Sequence, residues 1–386
     1  MLAGRRGLLL VSAVLLIGCI AAGRPDVAPT TGATAFIAYN GTTAANAPDL
    51  QGVQVGSHML LAAPGMSVSV MASGLQAPRF MAFDGAANLL VADMGAGAVY
   101  RYTSLDQRTQ PPTPLLKGLD APSNVALWGG YLYVGETTAI SRYEYDPSSG
   151  SIGSREVVVP NLPNGGHATR TVAFGPDDSM YVSIGSSCNI CDETDPRRAA
   201  ILRFSPDGSN YERFAWGLRN AVGLAVQPAT GQVWATVNER DNQGNEIPPD
   251  LVTIVEEGQN FGWPNCQPPT AARQTDGADC SDVTPPTVAI QAHSAPLGLA
   301  FDGNDLFVVQ HGSWNRDPPA EPKLIRIHFD NGQSLPSSAS DFLKGFQTPD
   351  GSRWGRPAGI VVAPDGSLIV SDDQAGQLYQ VRTIAQ

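Results

Sequence analysis

Positive charge is scarce in this 386-residue sequence: 24 Lys and Arg stand against 36 Asp and Glu, for a net charge of −12. Nucleic-acid binding regardless of base sequence requires a basic surface, so we exclude a nucleic-acid partner. Long apolar runs are scarce as well. The run from Leu8 to Gly18 has 11 residues, and no later run is a candidate membrane span. Gly (41) and Pro (31) are abundant, which favours many short strands over long helices.

The N-terminus predicts an exported lipoprotein. Arg5 and Arg6 precede the apolar run, which ends in Leu16-Ile17-Gly18-Cys19. This sequence is similar to the bacterial lipobox, in which the cysteine becomes a lipidated N-terminus. An ordinary signal peptide cleaved nearby is the alternative, and both predict export.

Three regions follow from this interpretation. We expect a signal peptide over 1–18, a lipidated flexible tether over 19–60, rich in Ala, Thr, Gly and Pro, and a folded domain over 61–386. The lipid on Cys19 would be the sole membrane anchor, on the periplasmic or another extracytoplasmic face.

Four further cysteines occur in the exported part, and an even number in an oxidising compartment favours disulfides. Proximity pairs Cys188 with Cys191 and Cys266 with Cys280. No histidine follows Cys191, which argues against covalent haem, and no βαβ pattern supports a thioredoxin-type site. A structural zinc site of four cysteines remains the alternative.

From residue 78 the sequence repeats a unit of apolar strand, turn, apolar strand, loop and third strand. The first strands are Phe80–Phe83, Asn124–Leu127, Thr171–Phe174, Gly223–Val226, Gly298–Phe301 and Gly359–Val362. Units of about 40–50 residues with about four strands each are typical of β-propeller blades. The sixfold repeat therefore predicts an all-β fold, a six-bladed β-propeller, and disfavours a β-sandwich.

The sixth unit ends after its third strand, whereas Val68–Ala72 is a strand without a unit of its own. We expect Val68–Ala72 to pair with Gln377–Val381 and close the ring, so that no sheet edge stays open.

The repeat also predicts where function lies. In an antiparallel blade the start of the first strand and the end of the second lie at the same end, and first strands line the central channel. Residues at these positions should meet at one channel mouth: Arg79, Asp93, Glu136, His167, Arg219, Asn220, 238–241, His293, 310–316, Arg356, Asp372 and Asp373. Plain turns such as Pro176-Asp177-Asp178 fall on the opposite face, so we predict the site at this mouth.

Three segments, in order, resemble the soluble quinoprotein sugar dehydrogenases. They are Asn164-Gly165-Gly166-His167 with Phe174-Gly175-Pro176, the segment from Trp216 to Ala225, and Asn260-Phe261-Gly262-Trp263-Pro264. The segments Ser186 to Cys191 and Gln310 to Arg316 resemble the sorbosone dehydrogenase branch in particular. The resemblance begins near residue 66, and it implies a six-bladed propeller with pyrroloquinoline quinone (PQQ) and a calcium ion at the channel mouth.

The resemblance implies oxidation of a sugar or a sugar-derived aldehyde by hydride transfer to the quinone. His167 matches the base that takes the proton of the substrate hydroxyl. Arg219 matches the arginine that faces the reactive carbonyl, and Asn220 would add a hydrogen bond to the quinone. Arg356 matches an arginine that binds a cofactor carboxylate. Electrons would then pass to a separate acceptor, a cytochrome or a quinone.

Some positions depart from the family pattern. Val222 replaces a glutamine, and Glu239-Arg240-Asp241 replaces the segment whose carbonyls bind calcium. We assign the metal site to these three residues. No lysine matches the family's cofactor-binding lysine, so His311 or Arg316 would replace it, and we add Arg240 and Trp314 to the predicted cofactor contacts.

Two other functions remain open. A calcium-dependent lactonase on a similar propeller would use the carboxylates of Asp93, Glu136, Glu239 and Asp372, but it leaves Arg219 and Arg356 without a role. A non-catalytic ligand-binding propeller would keep the scaffold alone, because a fold by itself does not define a function.

Overall fold

The computed structural model describes residues 37–39, 49–106, 110–267, 279–331 and 333–384. These residues form strands, turns and loops without an α-helix, so this part of the chain has no helix that could span a membrane. The predicted signal peptide and Cys19 lie outside the described residues.

Six antiparallel sheets form the predicted six blades. Blade 1 consists of Pro78–Phe83, Leu89–Asp93, Ala98–Tyr102 and Pro114–Lys117. Blade 2 consists of Asn124–Trp128, Tyr131–Glu136, Ala139–Asp146 and Glu156–Val159, with Ser151–Ile152 beside its third strand. Blade 3 consists of Arg170–Phe174, Met180–Ile184, Ala200–Phe204 and Glu212–Trp216, with Gln259–Asn260 added in parallel.

The second half of the ring follows the same plan. Blade 4 consists of Ala221–Val226, Val233–Val237, Asp250–Val255 and Val288–Ile290, with Ile37–Tyr39 added in parallel. Blade 5 consists of Pro296–Asp302, Asp305–Gln310, Lys323–His328 and Ser338–Lys344. Blade 6 consists of Pro357–Val362, Leu368–Asp372, Gln377–Thr383 and Met66–Ala72.

Blade 6 joins the two ends of the domain. Met66–Ala72 pairs antiparallel with Gln377–Thr383, with Val68 opposite Val381 and Val70 opposite Tyr379. The predicted closure by an N-terminal strand is therefore confirmed.

The tether predicted over 19–60 is wrong for its described parts. Gln51–Val55 and His58–Ala62 form a hairpin, and its second strand pairs with Ser338–Lys344 of blade 5. Leu60 is fully buried, and the His58 ring stacks on Trp354 with 4.1 Å between centroids. Alternating inward side chains thus give this segment a face to bury, and the folded domain begins before residue 61.

The hydrophobic cores lie between neighbouring blades. The second strands Leu89–Asp93, Met180–Ile184, Val233–Val237 and Leu368–Asp372 are buried at every residue. A strand inside a propeller packs on both faces, which explains why these segments are continuous apolar runs.

Close contacts between first strands hold the ring together around the channel. The hydroxyl of Thr171 donates to the carbonyl oxygen of Val222 in the next blade at 2.5 Å, and that of Thr236 donates to Leu297 O at 2.6 Å. A Cβ on Gly223 would overlap Leu297 O and lie 2.6 Å from Leu299 Cδ2. Glycine is therefore required there for the blades to approach.

An apolar cluster crosses the channel one layer below the mouth. Phe80, Val222, Leu297 and Ala358 pack together, and each follows mouth residues by a few positions in the chain. Val222 belongs to this cluster, so buried apolar side chains lie close to the mouth residues in the chain.

Candidate active site

The predicted mouth concentrates buried charge. Charged side chains less than 10% exposed there include Arg79, Asp93, Glu136, Arg170, Arg219, Glu239, Arg240, Asp250 and Asp372. Because a buried charge needs partners, the partners of each group distinguish structural residues from those that can contact a ligand.

His167 is held in one tautomer. Its Nδ1 lies 3.0 Å from the carbonyl oxygen of Ser186, which only accepts hydrogen bonds, so Nδ1 carries the proton and Nε2 is the free acceptor. Burial and the neighbouring charge of Arg219 lower the pKa of His167 to about 4. The ring is consequently neutral at physiological pH and can accept a proton at Nε2.

Two glycines bring His167 into this position. Gly165 and Gly166 adopt positive φ values of 83° and 61°. A Cβ on Gly166 would lie 2.5 Å from Ser187 Cα and 2.6 Å from Ser186 O, so only glycine lets the loop approach Ser186.

Arg219 is 4% exposed and fixed by acceptors from two loops. Nε donates to Asn189 O at 3.1 Å, Nη1 donates to Glu239 O at 2.7 Å, and Nη2 donates to Asp241 Oδ2 at 2.7 Å. A further contact joins Nη1 to Asn238 O at 3.3 Å. One Nη2 hydrogen of the five guanidinium donors remains available, so the guanidinium offers a fixed positive charge and one donor.

Asn220 lies beside His167. A Cβ on Gly185 would overlap Asn220 Oδ1 and lie 2.6 Å from His167 Cβ, which places the two side chains over the same glycine. Asn220 is 7% exposed, and its Oδ1 has no hydrogen-bond partner among the described residues. A buried acceptor without a protein partner is a position where a water or a bound molecule can donate a hydrogen bond.

On the other side of the mouth, Asp373 joins blades 1, 5 and 6. Its Oδ2 lies 2.6 Å from Arg79 Nη1, and its Oδ1 lies 2.9 Å from His311 Nε2. Although burial raises it, the pKa of Asp373 falls to about 2 because His311 and Arg79 bind the carboxylate. Burial lowers the pKa of His311 to about 4, which outweighs the raising effect of Asp373. His311 is thus a neutral donor that Asp373 orients.

Arg356 points a free end into this region. Its Nε donates to the carbonyl oxygen of His311 at 3.1 Å, and its amide donates to Asp372 Oδ1 at 2.9 Å. Neither Nη1 nor Nη2 has an acceptor within the described part of the chain. This free fork suits a carboxylate.

The acidic residues at the strand ends are structural. Asp93 accepts from the amides of Gln76 and Ala77 at 2.8 Å each, and Asp372 accepts from two amides of its own loop, Gln374 and Ala375, and from the amide of Arg356. Glu136 binds Arg155 Nη2 at 2.6 Å. Protein groups bind these three carboxylates, which leaves Glu239 alone of the four ligands named for the lactonase alternative.

Arg240 and Glu239 form a pair that is about 1% exposed at both side chains, with 2.7 Å between Nη1 and Oε2. Arg240 also donates to the carbonyl oxygens of Pro264 and Cys266. Burial raises the pKa of Glu239 to about 7, against the lowering effect of Arg240. The guanidinium of Arg240 therefore holds the loop at Cys266.

The predicted calcium segment offers few free oxygens. Glu239 O accepts from Arg219, Asp241 O accepts from Asn189 Nδ2 at 2.9 Å, and the Asp241 carboxylate binds Arg219 and Asn315. Among described residues, the one clustered set of three metal-ligand types is Cys188, Cys191 and Glu193. Its two sulfurs are joined in a disulfide. Oε1 of Glu239 is buried without a hydrogen-bond partner among the described residues, so it is the carboxylate oxygen of this segment that could bind a cation.

In the segment from Gln310 to Arg316, some side chains bind other protein groups and one aromatic side chain is exposed. Arg316 donates to Asn245 O and to Glu246 Oε1, so protein groups occupy its guanidinium. Trp314 is 72% exposed and leaves an aromatic face open to solvent. Asn315 donates to Asp241 Oδ1 at 2.8 Å.

Both predicted disulfides, Cys188–Cys191 and Cys266–Cys280, are present. The bonded pairs confirm the proximity argument and leave no thiolates for the zinc alternative.

Two residues were not recognised as mutual partners from the sequence. Asn189 and Asp241 both contact Arg219, and they also bind each other. The one available signal was the position of Asn189 inside the Cys-X-X-Cys segment.

Comparison with known proteins agrees with this fold. The sequence profile of the TrAA12-like family matches residues 60–271 and 249–383, and the chain belongs to that family. It is 24% identical over 429 aligned residues to a pyrroloquinoline quinone-dependent sugar dehydrogenase of Hypocrea jecorina, covering 91% of this chain and 95% of that protein.

Solved structures share the same architecture. The holo form of the pyranose dehydrogenase PQQ domain from Coprinopsis cinerea aligns with a TM-score of 0.76 at 22% identity, over 87% of this chain and all of that one. The calcium structure of a Trichoderma reesei family AA12 enzyme aligns with a TM-score of 0.74 at 24% identity, over 86% of this chain and 98% of that one.

Proposed function

We propose that this protein is a PQQ-dependent dehydrogenase that oxidises a sugar or a sugar-derived aldehyde. The observation that carries the proposal is the pairing of a neutral His167 with the buried, fixed charge of Arg219 at the mouth of a propeller of this family. Relatives with PQQ and sugar in their names support the choice of cofactor and substrate.

The mouth fits PQQ, an anionic quinone with carboxylate groups. The free fork of Arg356 would bind one carboxylate, and the side chain of Asn220 and the remaining donor of Arg219 would contact the quinone end. When bound, this group supplies a two-electron acceptor for hydride. Arg240 and Arg316, which we also predicted as cofactor contacts, are occupied by protein groups, so we place binding on Arg219, Asn220 and Arg356.

His167 would accept the proton of the substrate hydroxyl at Nε2 as the C–H bond of the same carbon gives up its hydride. Since Nδ1 is fixed on Ser186, the ring keeps Nε2 unprotonated until that step. Arg219 would stabilise the negative charge that develops on the cofactor oxygen. The exposed face of Trp314 suits stacking on a sugar ring at the rim.

Calcium and the wider setting are part of the proposal. A calcium structure of a similar protein supports the ion, and we place it at the 239–241 segment, where Oε1 of Glu239 is buried and has no hydrogen-bond partner among the described residues. We also propose that the protein is exported and anchored through Cys19. Its electrons would pass to a separate cytochrome or quinone.

The test is to titrate purified protein with PQQ, with and without calcium, and to follow absorbance and dye-linked oxidation of aldoses. We expect saturable binding and turnover. Arg356→Ala should mainly raise the PQQ concentration required, whereas Arg219→Ala should lose about 10²–10³-fold in turnover at saturating PQQ. Absence of PQQ binding with calcium present would favour the non-catalytic binding propeller.

A further inference from the structure

Asn189 touches three functional elements of the mouth through its main chain and its side chain. Its carbonyl oxygen accepts from Arg219 Nε at 3.1 Å and from Trp263 Nε1 at 3.0 Å. This single oxygen therefore connects the guanidinium of Arg219 to the insertion between the third and fourth strands of blade 4.

The side-chain amide of Asn189 also has a hydrogen-bond partner at both its oxygen and its nitrogen. Its Oδ1 accepts from the Asp241 amide at 2.8 Å, and its Nδ2 donates to the Asp241 carbonyl at 2.9 Å. Both polar groups of the Asp241 main chain are thus clamped by one side chain. Asp241 in turn binds Arg219 through its carboxylate, so Asn189 fixes Arg219 both directly and through Asp241.

The Cys188–Cys191 disulfide brackets Asn189 in the chain. The same short segment reaches His167, because Ser186 O accepts from the His167 ring and main chain and Ser186 Oγ donates to Cys188 O at 2.7 Å. Residues 186–191 therefore hold three neighbouring groups in place: the ring of His167, the guanidinium of Arg219 and the residue Asp241.

We propose that Asn189, stapled by the Cys188–Cys191 disulfide, is the positioning residue that sets the orientation of Arg219 and Asp241 in the active site. The inference rests on the proposed function for its catalytic consequence only. In this proposal the Cys188–Cys191 disulfide completes the site, so we expect the reduced protein to be folded but poorly active.

The principal test is Asn189→Ala, which keeps the carbonyl oxygen and removes both side-chain hydrogen bonds to Asp241. We expect kcat at saturating PQQ to fall by on the order of 10²-fold, the usual cost of a misplaced catalytic group. The KM for the sugar should stay within about threefold, because a loss confined to the transition state leaves ground-state binding of the substrate intact. The matched control is Asn304→Ala, an exposed asparagine in a turn on the opposite face.

A second variant guards against misfolding of the first. The double substitution Cys188→Ser and Cys191→Ser should reproduce the loss of kcat with KM unchanged, whereas Cys266→Ser with Cys280→Ser should lower only the melting temperature. Wild-type kcat in both Asn189→Ala and the Cys188/Cys191 double variant would overturn the inference.

Hydrogen exchange tests the clamp without cofactor. In Asn189→Ala the amide of Asp241 loses its acceptor, so the peptide covering 239–241 should exchange about tenfold or more faster, while Val233–Val237 stays protected. Unchanged exchange at 239–241 would overturn the proposed role. A wild-type protein that fails to oxidise sugars would contradict the proposed function, and this exchange experiment would still decide the role of Asn189.

Discussion

At the scale of single residues, burial and the charge of Arg219 together keep His167 neutral. A cation beside a buried imidazole disfavours the imidazolium form, and the Ser186 carbonyl fixes which nitrogen is free. The same cation is prepared to stabilise negative charge on a bound quinone. One buried guanidinium therefore serves both halves of the proposed reaction.

The first prediction concerns the base. His167→Ala should reduce kcat by about 10²–10⁴, the range that a positioned general base contributes, while PQQ still binds because Arg356 and Arg219 remain. Steady-state kinetics at saturating PQQ measure the effect, and His328→Ala, a half-exposed histidine on Asp305 away from the mouth, is the control. Near-normal turnover in His167→Ala would contradict the mechanism.

The second prediction concerns the protonation of His167 at acidic pH. With a pKa of about 4, His167 should show no protonation in an NMR titration of the cofactor-free protein until the pH falls towards 4. Arg219→Gln removes the neighbouring positive charge, so this pKa should rise towards 6.5. Because the folded pKa lies below the unfolded one, His167 also costs stability as the pH falls from about 6.5 to 4. A pKa unchanged in Arg219→Gln would refute the electrostatic coupling.

The repeat pattern predicted which side chains lie at the mouth, but it did not predict which of them are free to bind a ligand. The strand register places His167, Arg219 and Arg356 at one mouth, and this was foreseeable. Whether a guanidinium is free was not, because Arg240 binds Cys266 O and Arg316 binds the Asn245 loop. Those partners are supplied by insertions whose path the repeat does not specify.

At the scale of elements, glycines in the first strands decide how closely the blades approach. Gly223 lies against Leu297 of the next blade, and Gly359 lies against Arg79 O, where Ser371 also donates at 2.6 Å. These contacts recur where the repeat has glycine in the same strand position. In blades 4, 5 and 6 they set the positions of the mouth residues that lie a few positions earlier in the chain.

The third prediction tests these contacts. Gly223→Ala would push a methyl group into Leu297 O and towards Thr236 Oγ1, 2.9 Å away, and overpacking of this kind typically costs about 1–3 kcal/mol. Thermal melting should show a clear fall in Tm. Gly85→Ala is the control, since a Cβ there meets nothing within 4 Å. Equal melting temperatures would show that the ring tolerates a side chain.

The blade strands were predictable because each unit repeats the same apolar pattern. The hairpin Gln51–Ala62 was missed because its partner strand, Ser338–Lys344, lies almost 300 residues away, with Leu61 opposite Lys344. Composition rich in small residues suggested a tether. Local alternation around a Gly56-Ser57 turn was the signal that favoured a strand pair.

At the scale of the whole molecule, the proposed topology joins an acidic domain to a lipid. A net charge of −12 gives no electrostatic attraction to anionic lipids, since that requires clusters of basic residues. The described residues also contain no helix that could span a bilayer. The proposal assigns membrane association to acyl chains on Cys19.

The last prediction tests that anchor. Wild-type protein should sediment with membranes and resist washing with salt, and Cys19→Ser should move it to the soluble fraction with unchanged kcat, because the active site is built from residues after 166. Mass spectrometry of the N-terminal peptide should find acylated Cys19 in the wild type. Thr30→Ser, in the same region, should leave the protein on the membrane. Continued sedimentation of Cys19→Ser after the salt wash would show that another feature holds it. An unmodified wild-type N-terminus would favour the ordinary signal peptide.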